Sequence, residues 1–185
     1  MDMDGLSSRV IKQVVNSLPA ERMHHRESRR RLPLQMYLER RGVRLDDMVG
    51  AALELFVPHP GVENKAKAAK IITEEFEDAL SDVNVSTLVV ACYRAEEDAK
   101  KGRIPGLTRE RFMGRPGLVT DELLGMTIAN YIAGARGIFE FVRVDQNKPG
   151  ILKKLGPIVN DAIGGLVAGC SSNMYTRATR ESAMR

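Results

Sequence analysis

The chain has no tryptophan, and aromatic residues make up only 5% of its 185 positions. That scarcity disfavours a sandwich or barrel, whose strands draw on aromatic and β-branched residues, and the abundance of Ala, Leu, Met, Glu, Lys and Arg favours helices. Only two cysteines occur, Cys92 and Cys170, in apolar surroundings and without CxxC spacing. That argues against a disulfide framework or a zinc cluster, and both thiols read as buried small hydrophobes. Long hydrophobic runs are also missing: Leu123 to Gly134 and Ile158 to Cys170 contain polar or glycine positions and fall short of the roughly 20 residues that span a bilayer. Acidic residues stand in Met1 to Leu6 where a signal peptide would be basic and then apolar, so the expectation is a soluble, cytoplasmic protein. The net charge of +4 allows an anionic ligand without naming one.

What is present predicts an all-α fold: a single compact multi-helix domain over 34–176, a basic N-terminal helical appendage over 1–33 and a tail over 177–185. Ser7 or Ser8 caps a first helix ending before Pro19, and Glu21 to Arg31 is strongly basic. Further helices are expected over Leu34–Arg41, stopped by Gly42, and over Leu45–Val57, stopped by Pro58-His59-Pro60-Gly61. Asn64 caps the next, in which Ala68, Ile71, Ile72, Phe76, Ala79 and Leu80 repeat at helical spacing. Val83–Lys101 reads as a central helix whose charged end reaches solvent; Glu96 and Glu97 read as part of that solvated end, with the lining of a pocket, together with Asn84, as the alternative. Thr108 caps a short helix through Met113. Leu118–Gly134 and Ile158–Tyr175 are the remaining long helices, separated by a stretch punctuated by Gly and Pro.

Chemistry concentrates in three short motifs of the last third: Asp121-Glu122-x-x-Gly125, Asp145-x-x-Lys148-Pro149 and Asn160-Asp161 followed by Gly164-Gly165. Each alone has a plain structural reading, as first-turn acids, a turn residue and a helix cap. Together they provide what a hard cation needs, converging oxygen ligands with one or two carboxylates per ion. Gly125, Gly164, Gly165 and Gly169 would let two helices approach closely enough to bring their acidic ends together.

In this order the motifs resemble those of the phosphatidylglycerophosphatase A superfamily. A closer likeness, to its soluble CobZ-type archaeal α-ribazole phosphatases, runs from about Leu38 to Tyr175. It takes in Pro58-His59-Pro60-Gly61, Ser81-Asp82-Val83-Asn84, Gly102-Arg103-Ile104-Pro105-Gly106, Ile128-Ala129-Asn130-Tyr131 and Gly137-Ile138-Phe139-Glu140. The resemblance implies an all-helical, metal-dependent phosphomonoester hydrolase. Its substrate would be α-ribazole 5′-phosphate, converted to α-ribazole in cobalamin nucleotide-loop assembly with Mg²⁺ or another divalent cation such as Mn²⁺. It implies Asp121, Glu122, Asp145 and Asp161 as metal-site residues, Lys148 as the partner of a phosphate oxygen, and Asp121, Glu122, Asp145 and Lys148 as the catalytic set. Asn160 departs from the Asp-Asp pair common in the superfamily and replaces one anionic group with a neutral amide. Arg143 sits one position closer to Asp145 than the corresponding Arg of the membrane enzymes.

Competing chemistries find less in the sequence. Neither cysteine is followed by Arg at cysteine-phosphatase spacing, and the Asp2-Met3-Asp4-Gly5 run lacks the apolar strand that precedes the aspartates of dehalogenase-type phosphatases. His24 and His25 read as solvated, and His59, between prolines, as structural. Arg22, Arg26, Arg29, Arg30 and Arg31 form a basic run without a recognition helix or stacking aromatics, which argues against nucleic acid. A phosphatidylglycerophosphate phosphatase and a non-catalytic phosphate-ligand or nucleic-acid-binding protein are the alternatives. Apolar helix faces are compatible with a homodimer.

Overall fold

The computed structural model describes residues 32–114 and 117–184. Residues 1–31 of the expected appendage, with the histidine pair and the arginine run, lie outside the described residues. Among the described residues eight α-helices follow one another: α1 (Pro33–Glu39), α2 (Leu45–Glu54), α3 (Lys65–Ser81), α4 (Val83–Lys100), α5 (Arg109–Met113), α6 (Val119–Ala133), α7 (Ala135–Asn147) and α8 (Pro157–Ala183). A 3₁₀ turn, Gly150–Lys154, joins the last two, and no strand occurs among the described residues. The fold is all-α.

Local chemistry explains most boundaries. Asn64, Asp82 and Thr108 cap α3, α4 and α5 by accepting from the backbone N–H of Lys67, Asn84 and Arg111. Gly42, at φ 81, turns the chain after α1. In α3 the buried positions are Ala68, Ile71, Ile72, Phe76, Ala79 and Leu80, the set that the helical spacing predicts. Full burial of one such Phe or Ile contributes about 1.5–3 kcal/mol.

Three expectations need correction. The central element is α8 rather than α4: its face from Ile158 to Met174 is buried almost continuously, against α6, α7, α3 and α4. It also extends through Ala183, so 177–183 is helix and not tail. The stretch before it contains a full helix, α7, whose buried Gly137, Phe141 and Val144 recur at i, i+4 and i+7. Gly137, the Gly134 that precedes the helix and the following Pro149-Gly150 hide it in the sequence.

α6 and α8 run side by side in the same direction at close range. A Cβ on Gly125 would meet the Phe141 ring and the Asp161 carbonyl, one on Gly165 the Gly125 carbonyl, and one on Gly169 the Ile132 side chain. Gly164 differs: its Cβ would make ordinary contacts at 3.5–3.8 Å. α7 packs antiparallel to α6, with Gly137 against the Ala129 carbonyl. This arrangement brings the start of α6, the end of α7 and the start of α8 to one region.

Candidate functional site

Lys148 is the C-cap of α7 and the one non-glycine residue with positive φ among those described, at φ 45, ψ 57. Its N–H still bonds to the Val144 carbonyl, and Pro149 prevents the helix from continuing. The left-handed turn directs its side chain back to Asp145 and across to α8. There Nζ donates to Asp145 Oδ1, Asn160 Oδ1 and Asp161 Oδ1, the last at 2.6 Å.

Asp161 is buried, with 3% of its surface exposed. Burial raises its carboxyl pKa, Lys148 pulls it down and Asp145 pushes it up again, leaving it well above the ordinary carboxylate range. Burial opposes the charge on Lys148, and its bonds to Asp145 and Asp161 more than compensate, so its pKa is raised. Asp121 is half-buried at the start of α6. Burial raises its pKa, and the backbone N–H groups of Glu122 and Asp121, together with Lys148, act against that.

Asn160 is held from both ends of its amide. Its Nδ2 donates to the carbonyls of Gly156 and Pro157, which turns Oδ1 toward Lys148. An aspartate could not donate to those carbonyls, so the amide gains two anchoring bonds and still presents an oxygen to the cluster.

The structure therefore brings together Asp145, Lys148 and Asp161 and sets Asp121 within electrostatic reach of them. It does not bring in Glu122, whose side chain is exposed and whose backbone N–H donates to Asp121 Oδ1. Among the described residues no three His, Cys, Asp or Glu side chains are grouped to hold a metal ion by themselves. The donors converging on the ammonium nevertheless fit a hard divalent cation: two carboxylates and an amide oxygen, with no nitrogen or sulfur. Charge agrees, since Asp121, Asp145 and Asp161 against Lys148 leave an excess of two negative charges when all are ionised.

Glu96, expected in solvent, is 5% exposed. Its Oε2 accepts from the N–H groups of Ile158 and Val159, and its Oε1 from Lys100 Nζ at 2.6 Å. It is the cap of α8, supplied by α4, and a Cβ on Gly156 would collide with it. Arg143 pairs with Glu140 and donates to the Leu55 carbonyl, a supporting contact. Sequence reasoning missed Glu96; the missing side-chain cap before Ile158, with Gly156 and Pro157 there instead, was the available signal.

The uncharacterized protein MJ1330 of Methanocaldococcus jannaschii is 36% identical to this chain over 116 residues, 60% of this chain and 85% of that protein. The chain belongs to the same family as that protein. No family model matches the chain. Among solved structures, the low temperature requirement C protein of Listeria monocytogenes superposes with a TM-score of 0.66 at 26% identity, over 78% of this chain and 93% of its own. Protein ypjQ of Bacillus subtilis does so at 0.63 and 20% identity, over 82% and 94%. The latter likeness concerns the fold alone.

Proposed function

We propose that this protein is a divalent-metal-dependent phosphomonoester hydrolase whose substrate is α-ribazole 5′-phosphate. The observation that carries the metal-dependent chemistry is the convergence of the Asp145, Asn160 and Asp161 oxygens on one cationic point beside Asp121, and the choice of substrate rests on the sequence resemblance. Phosphate monoesters hydrolyse so slowly in water that a catalyst must both neutralise phosphate charge and orient a water in line. A bound Mg²⁺ or Mn²⁺ would supply Lewis acidity at the phosphate. Asp145, Asp161 and Asn160 would hold that ion, Lys148 would provide a compact positive charge for a phosphate oxygen, and Asp121 would accept the proton of the attacking water. Glu96 keeps the first turn of α8, and with it Asn160 and Asp161, in place.

A second reading, phosphatidylglycerophosphate as substrate, is favoured by Val119 and Leu123. They flank Asp121 on the first turn of α6 and are 70% and 56% exposed. No described helix is long and apolar enough to cross a membrane, so lipid would be reached from the surface. Phosphate release from the two substrates, assayed in parallel with and without Mg²⁺, separates the readings. Metal-dependent turnover of α-ribazole 5′-phosphate alone supports the first, and turnover confined to the lipid replaces it with the second.

A further inference from the structure

An ammonium has three protons to donate, and Lys148 spends all three on Asp145, Asn160 and Asp161. In that position it has nothing left for a phosphate. Nor can a metal ion share the position, because Mg²⁺ takes oxygens at about 2.0–2.1 Å in a near-octahedral shell and leaves no room for an ammonium among the same three atoms. We propose that the Lys148 ammonium is a resident stand-in for the divalent cation: an incoming metal displaces it from Asp145, Asn160 and Asp161, and only then is Lys148 free to take an anionic oxygen of the substrate. The inference rests on the metal-dependent reading above and orders its steps, metal before phosphate.

The surroundings suit such an exchange. Asp161 and Asn160 are fixed on α8, the first by burial and the second by its two backbone bonds, so the oxygens stay in place when the cation changes. The Lys148 backbone is fixed too, by its bond to Val144 and by Pro149, but its stem is a flexible four-carbon chain. About a third of that side chain, 35%, is exposed, against 4% for Asp161, so rotation toward solvent is open to the lysine and closed to the carboxylate. The excess negative charge on Asp121, Asp145 and Asp161 draws a divalent ion more strongly than the single charge already there. The stand-in also keeps two neighbouring carboxylates from facing each other unscreened in the metal-free protein.

The test uses the wild-type chain. Brief acetylation, read by peptide mass spectrometry, measures Lys148 reactivity with no addition, with Mn²⁺, and with Mn²⁺ plus inorganic phosphate, while water-proton relaxation on the same samples reports Mn²⁺ binding. Displacement predicts that bound Mn²⁺ raises Lys148 acetylation several-fold, because the amine is released from its three acceptors toward solvent. Phosphate should then suppress it, with Lys153 and Lys154 unchanged throughout. Binding of Mn²⁺ with Lys148 labelling unchanged or slowed overturns the displacement and leaves the metal-dependent reading standing. Failure of Mn²⁺ to bind overturns both.

Discussion

Glu96 joins two helices through a single carboxylate that satisfies two amides of α8 and the ammonium of Lys100. Glu96→Ala strands those amides in the interior and is expected to lower unfolding free energy by about 3 kcal/mol in urea titrations. Glu96→Gln, which keeps one accepting oxygen, should cost less; equal losses would contradict the capping role. Its partners lie 62 and 63 residues along the chain, which is why its neighbourhood of charges read as a solvated end. Asp161 makes a prediction in pH. Its folded pKa lies above the ordinary 3.8, at about 7, so the folded chain retains a proton that the unfolded chain has lost between those values. Its contribution to stability is complete below pH 4 and is lost as pH rises toward 7. Metal-free wild type should therefore lose melting temperature relative to Asp161→Asn between pH 4 and pH 7, and parallel curves would count against the raised pKa.

Helix packing makes its own prediction, through two adjacent glycines of α8. Gly165→Ala places a methyl on the Gly125 carbonyl and should cost about 1–3 kcal/mol as α6 is pushed away. Gly164→Ala meets only side chains at ordinary distance and should be neutral or stabilise by up to about 1 kcal/mol, since alanine is the better helix former. Thermal unfolding of the pair distinguishes them, and a reversed order would refute the close parallel packing. The glycines pointed to that packing in the sequence without revealing which of them sits at the contact. α3 was legible to the residue because its apolar positions repeat against a charged face. α7 was not, because Gly137 serves the approach to Ala129 and, with Pro149-Gly150 beyond, gives a helical segment the punctuation of a loop.

For the whole molecule, composition and helical spacing were enough for the all-α class, and three motifs were enough to place Asp121, Asp145, Lys148 and Asp161 in one region. The sequence could not show that α8 is the centre on which α2, α3, α4, α6 and α7 pack, nor that Glu122 turns outward while Asn160 turns in. Those outcomes depend on the relative rotation of helices far apart in the chain. The exposed apolar start of α6 bears on the choice of substrate. Val119→Ser with Leu123→Ser should leave turnover of a water-soluble phosphate within about twofold and reduce turnover of a vesicle-borne one, if the lipid reading holds. Equal activity on vesicles would remove that reading's support. The central claim meets its most direct test in phosphate release from α-ribazole 5′-phosphate by wild type and Asp161→Asn, with and without Mg²⁺. The account predicts turnover by wild type only when Mg²⁺ is present, reduced at least about 100-fold in the variant. Absence of turnover by wild type with any divalent ion, or turnover by the variant equal to wild type, would contradict it.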